Sequence, residues 1–150
     1  MALLGGIAVA DPAPPAASKP KSGVTLTVGG GESAQHIITC ALFANKPNYS
    51  GGIITATGGM SGCVPSTPEG CASEVDLQVY LSGPGVWSTA AASTRQTRCP
   101  PPARSTTARM NCDSDTTSWS YRTDTLASIC HDGTTDSNTS TSAVLSVKCG

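Results

Sequence analysis

Apolar and polar side chains alternate along the clearest segments of this chain. A period of two marks a β-strand with one buried face. Val75-Asp76-Leu77-Gln78-Val79-Tyr80-Leu81 shows it best, with Val75, Leu77, Val79 and Leu81 on one face and Asp76, Gln78 and Tyr80 on the other. Val24-Thr25-Leu26-Thr27-Val28 repeats the pattern, and Gly29-Gly30-Gly31 breaks it. Residues 37–43 form a nearly continuous apolar run, and residues 53–57 lie between two glycine pairs. Residues 86–91 return after the Gly83-Pro84-Gly85 turn. Residues 118–130 and 143–149 complete about seven strands, and no segment reads as a helix.

Short strands at this spacing, punctuated by Gly and Pro, indicate an all-β chain, an antiparallel sandwich or barrel, and the β-sandwich is the expected form. Residues 45–48 read as a turn, residues 61–73 as a cross-linked loop and residues 131–139 as a polar loop. Pro100-Pro101-Pro102 excludes a central strand over residues 95–110. Residues 11–22 are rich in Pro and Ala and predict an extended tail, leaving residues 23–150 as one domain.

Composition narrows the function classes. Hydrophobic residues make up 38% of the chain and charged residues only 13%. Ser and Thr fill 38 of 150 positions, which argues for strands and turns over helices. No apolar run reaches the roughly 18 residues of a membrane span. The net charge of −1, with few and scattered basic residues, gives no footprint for nucleic acid. Arg95, Arg98, Arg104 and Arg109 fall close together, with Asp113 and Asp115 soon after. They read either as a solvated loop with local charge balance or as a site for an anion or acidic partner.

The seven cysteines are Cys40, Cys63, Cys71, Cys99, Cys112, Cys130 and Cys149. No Cys-x-x-Cys pair and only two histidines accompany them, so a disulfide framework is expected instead of a metal site. The odd count leaves one unpaired, and six paired cysteines out of seven allow many connectivities. Short separation favours Cys63 with Cys71 and Cys99 with Cys112, with Cys40 joining Cys130 or Cys149. Residues 1–10 are apolar and end Ala8-Val9-Ala10, which reads as part of a signal peptide. Together these predict a secreted protein.

Catalytic signals are weak. Neither His36 nor His131 accompanies a Gly-x-Ser-x-Gly elbow, and the glycine run at 29–31 lacks the spacing of a phosphate-cradling loop. Asp132-Gly133 and Asp136 lack the spacing of an EF-hand. The expectation is a protein with no enzymatic activity, cofactor or metal. Asn48-Tyr49-Ser50 and Asn138-Thr139-Ser140 match glycosylation sequons. Tyr80, on the polar face of its strand, is the aromatic residue expected to be exposed, while Trp87 and Trp119 read as core fillers or as interface residues. A protein partner is expected to meet the tail and first strand. Val24, Leu26 and Val28 would enter a groove or extend a partner's sheet edge, beside Lys19 and Lys21.

Two resemblances bear on that partner. Ile38-Thr39-Cys40, Asn45-x-Pro47-Asn48-x-Ser50, Gly52-Ile53-Ile54, Cys63, Val75-x-Leu77-x-Val79-x-Leu81 and Val144-x-x-Val147-x-Cys149 resemble small secreted β-sandwich proteins of streptomycete-type bacteria. That set includes the adaptor subunit of umbrella toxin particles. The resemblance implies a non-enzymatic linker between a large toxin subunit and a lectin subunit. The additional cysteines and the Pro100-Pro101-Pro102 loop depart from its pattern. Leu26-Thr27-Val28-Gly29-x-Gly31-Glu32-Ser33-Ala34 and Thr39-Cys40-Ala41 are similar to the opening strands of the streptomycete subtilisin-inhibitor family. That similarity ends near Ala41 and implies a secreted serine-protease inhibitor.

Overall fold

The structure is a computed structural model that describes residues 19–29, 37–112 and 117–149. Among them, ten strands form two antiparallel five-stranded sheets, a disulfide-bonded all-β sandwich. The first sheet holds β1 (Thr25–Val28), β2 (Ile38–Ala44), β3 (Asn48–Ser50), β4 (Ile53–Val64) and β7 (Arg104–Asn111). The second holds β5 (Gly70–Leu81), β6 (Val86–Ala92), β8 (Ser118–His131), β9 (Thr134–Thr141) and β10 (Leu145–Lys148). Strand β4 is central to the first sheet, with β2 and β3 sharing one edge and β7 on the other. In the second sheet β8 pairs β5 along one edge and β9 and β10 along the other, while β6 extends the sheet beyond β5.

Three strands were not expected, and each has a local cause. Strand β7 starts after the prolines and pairs only with β4, so the missing N–H groups cost no ladder bonds. Strand β9 is polar throughout, but Asp132 (φ 49°) and Gly133 (φ 75°) make a two-residue hairpin turn that returns it along β8. Strand β3 is three residues long and leans on β4. Strand β4 also continues beyond its expected end at Gly58-Gly59. Gly58 lies where a Cβ would come within 2.8 Å of the Phe43 carbonyl oxygen and 3.2 Å of Val75 Cγ2, so the sheets close over a residue without a side chain.

Alternation places the core. Val75 and Leu77 of β5 and Tyr121 and Ile129 of β8 face inward onto Leu26, Ile38, Ile54 and Met60 of the first sheet. Two inward positions of β8 are threonines, both fully buried. Thr123 donates its hydroxyl to the Asn45 carbonyl at 2.6 Å and Thr125 to the Phe43 carbonyl at 2.9 Å. These bonds cross between the sheets and satisfy carbonyls at the end of β2, which is why polar residues are tolerated there.

The disulfides pair Cys40 with Cys63, Cys71 with Cys99 and Cys112 with Cys149; Cys130 is free and exposed. This corrects the expected short-range pairs. Cys40 and Cys63 face each other across the β2–β4 ladder, and Cys71 lies on β5, not in a loop shared with Cys63. Each bridge contributes typically about 2–4 kcal/mol by restricting the unfolded chain.

Candidate functional site

The residues that could meet a ligand gather on the outer face of the second sheet and on the loop flanking it. Strand β6 covers β5 only from Asp76 to Leu81. The Cys71–Ser73 end of the β5 edge is met instead by the segment after β6. Ser73 and Gln96 exchange two main-chain hydrogen bonds, of 2.9 and 2.8 Å. Cys99 is then tied to Cys71, and Arg104 donates to the carbonyls of Cys99 (3.0 Å) and Pro101 (3.4 Å). Thr97 and Arg98 stand exposed between these anchors.

Beside this loop a concavity of about 430 Å³ crosses β5, β8 and β9. Its outward floor is Ala72, Leu126 and Ser128, and its rims are Glu74 with Arg95 on one side and Asn138 with Thr139 on the other. Arg95 Nε lies 3.4 Å from Glu74 Oε2, with the Arg95 side chain largely exposed and that of Glu74 half-buried.

The next two rows along the same strands hold a polar network. Asp76 stands opposite Asp124, and Gln78 opposite Arg122. Arg122 Nε donates to Gln78 Oε1 at 2.7 Å, and Gln78 Nε2 donates to Asp124 Oδ2 at 3.5 Å. The Arg122 guanidinium lies 4.4 Å from the centre of the Trp87 ring, and Trp87 in turn packs against Tyr80 with ring centres 5.2 Å apart. Thr89 donates to Asp76 Oδ2 at 3.3 Å. Burial raises the Asp76 carboxyl above its ordinary value; the Thr89 bond opposes this and Glu74 adds to it. Burial raises Asp124 too, opposed by Arg122 and Lys21 and reinforced by Asp76. Burial lowers the Arg122 guanidinium, and Asp124 counters it.

No family model matches the chain, and no curated protein or solved structure matches it.

The expected contact residues separate. Val24, Leu26 and Val28 are buried in the core, and Tyr80 is only 7% exposed beneath the β5–β6 turn. None of the four presents a surface to a partner. The edge of β1 is also closed, because Thr27 N donates to Asp136 Oδ2 and Gly29 N to Thr134 Oγ1. Lys19 and Lys21 are exposed, but Lys21 is fixed: its main chain bonds Thr141 in both directions and its Nζ reaches Asn138 Oδ1 at 3.0 Å. Residues 1–18 lie outside the described residues, as do Asp113 and Asp115.

The four arginines do not converge. Arg95 is paired, Arg104 braces the loop, Arg109 lies exposed on β7, and Arg98 alone stands on the loop tip. The lone described histidine, His131, has its Nε2 3.6 Å from Asp132, at the β8–β9 turn. No group of three metal-ligating side chains gathers among the described residues, and among them no helix is long and apolar enough to cross a membrane. Sequence reading missed Arg122 and Asp124, and gave Trp87 only as a core filler or an interface residue. The signal for Arg122 and Asp124 is the alternation of residues 118–130, which puts Ser120, Arg122, Asp124 and Leu126 on one face; joining it to Asp76 and Gln78 requires the β5–β8 register.

Proposed function

We propose that the chain is a secreted, non-enzymatic protein-binding module, an adaptor that holds subunits of a secreted toxin particle together through its Arg98 loop. The observation that carries this reading is the bracing of that loop. Two main-chain bonds fix Gln96, a disulfide fixes Cys99, and an exposed cation lies between them. A loop already ordered loses little entropy on docking, and a guanidinium at its tip with no partner among the described residues suits a partner with an acidic recess. Three disulfides are in keeping with an oxidising compartment, and the resemblance to toxin adaptors supplies the choice of a toxin subunit and a lectin subunit as partners.

The same loop favours a second reading, a secreted serine-protease inhibitor, because Arg98 precedes a disulfide-tied cysteine and would fit a protease selective for basic residues. The test begins with a pull-down from culture medium. The captured protein is identified by mass spectrometry and purified, and its affinity for Arg98→Glu is compared with the unsubstituted chain. The adaptor reading expects a non-protease partner and a loss of at least about tenfold, or 1.4 kcal/mol. Stoichiometric inhibition of a trypsin-like protease selects the inhibitor. A partner bound equally well by Arg98→Glu overturns both.

A further inference from the structure

We propose that the outer face of the second sheet binds an uncharged, hydroxyl-rich glycan at a site centred on Asp76, Gln78, Arg122 and Asp124. This site lies beside the Arg98 loop and does not depend on the loop's role.

The register sets two carboxylates in one cross-strand pair and an amide with a guanidinium in the next. The protein uses little of their hydrogen-bonding capacity. The ion pairs among the described residues are Arg95–Glu74 and His131–Asp132, so neither Asp76 nor Asp124 has a salt-bridge partner there. Arg122 uses its Nε on Gln78, and its two Nη groups have no acceptor among the described residues. The Trp87 ring beneath the guanidinium and the Nε bond to Gln78 restrain where these donors lie.

Acceptors therefore adjoin restrained donors. A sugar hydroxyl matches both, since it donates to a carboxylate while accepting from a guanidinium. Adjacent hydroxyls on one ring match the paired oxygens of a carboxylate or the two Nη groups of Arg122. Like charges directly opposite each other weaken a sheet, so the Asp76–Asp124 pairing brings the fold no gain. A ligand that donates to both carboxylates supplies one. Glu74, Asp76 and Asp124 are matched on this face by Arg95, Arg122 and Lys21, so it carries no net charge to draw an anionic glycan. The concavity continues the site along the same strands, with Ala72 and Leu126 to meet C–H faces and Ser128 and Asn138 to meet hydroxyls. An open, elongated polar face of this kind suits a chain of several sugars.

The test is isothermal titration of the disulfide-bonded chain with hexasaccharides of cellulose, xylan, mannan, amylose and chitin. At least one is expected to bind with Kd below about 1 mM. Arg122→Ala and Asp124→Asn are each expected to weaken that binding by about tenfold or more, while Arg98→Glu leaves it unchanged. Denaturant midpoints confirm that each variant is folded. Where Arg122→Ala is not folded, Arg122→Lys replaces it, since it keeps the charge and loses the planar fork. No binding to any of the five at millimolar concentration overturns the proposal, and so does binding that persists in folded variants at Asp124 and Arg122. Loss of sugar binding with undiminished capture of the protein partner separates this site from the Arg98 contact.

Discussion

Gly58→Ala tests how closely the two sheets approach. Gly58 is buried on β4 where Thr125 of the opposite sheet hydrogen-bonds the Phe43 carbonyl at 2.9 Å. A new Cβ would run into the Thr125 hydroxyl and lie 2.8 Å from the same carbonyl oxygen. Neither obstacle is the free end of a flexible side chain: one is backbone and the other a β-branched residue in the core. The methyl group therefore overpacks the core, at about 1–3 kcal/mol. It also displaces the Thr125 bond, and a buried polar group left unmade costs about 1–3 kcal/mol more. The sum, about 2–6 kcal/mol, is a large part of the roughly 5–15 kcal/mol that holds a domain folded. The assay is urea unfolding followed by tryptophan fluorescence with the disulfides intact. A double-mutant cycle with Thr125→Ala isolates the cause, because removing the hydroxyl makes room for the methyl. The double variant is expected to be at least about 1 kcal/mol more stable than the sum of the single changes allows. The reasoning fails if Gly58→Ala lies within about 0.5 kcal/mol of the parent, or if the two effects simply add.

Two further outcomes follow from the same structure. Asp76→Asn is expected to raise stability at pH 7 by about 0.2–1 kcal/mol, because it removes a like charge opposite Asp124. Its sign with pH is set by the raised carboxyls. The folded state holds protons more tightly than the unfolded chain, so the parent gains stability as pH falls from neutral through the folded values toward the ordinary one, near 3.8. Melting between pH 7 and pH 4 should show a smaller gain in the variant, and equal slopes would count against it. Alkylation without reduction is expected to label Cys130 alone, and peptide mapping to recover the Cys40–Cys63, Cys71–Cys99 and Cys112–Cys149 pairs. A Cys63–Cys71 or Cys99–Cys112 peptide would contradict the topology.

What the sequence reveals depends on whether neighbours along the chain or across it decide the outcome. The alternation of residues 75–81 places Val75 and Leu77 inside and Asp76 and Gln78 outside, as found, because the pleat alone settles it. Tyr80 breaks the rule: it faces outward yet is buried, because Trp87 on the neighbouring strand covers it. Strand β9 escapes notice because its threonines and serines carry no apolar alternation, and the Asp132-Gly133 turn that forms the hairpin is its sequence cue. Val24, Leu26 and Val28 are legible as a strand face, but only the packing of β1 against β2 and β9 shows that the face is core and the edge closed. The Asp76–Asp124 and Gln78–Arg122 pairs join residues far apart in the chain, and no local pattern encodes that register.

The three disulfides also lie in series along the chain. They join the first cysteine to the second, the third to the fourth, and the fifth to the seventh, so their loops follow one another without nesting or crossing. A chain emerging amino end first into an oxidising space can close the Cys40 loop before Cys71 appears, and the Cys71 loop before Cys112 appears. Only the third bridge meets a competitor, since Cys130 emerges after Cys112 and ahead of Cys149. On that route the final step of oxidation is a choice between two thiols. The strands from β8 to β10 decide it by carrying Cys149 back to the end of β7.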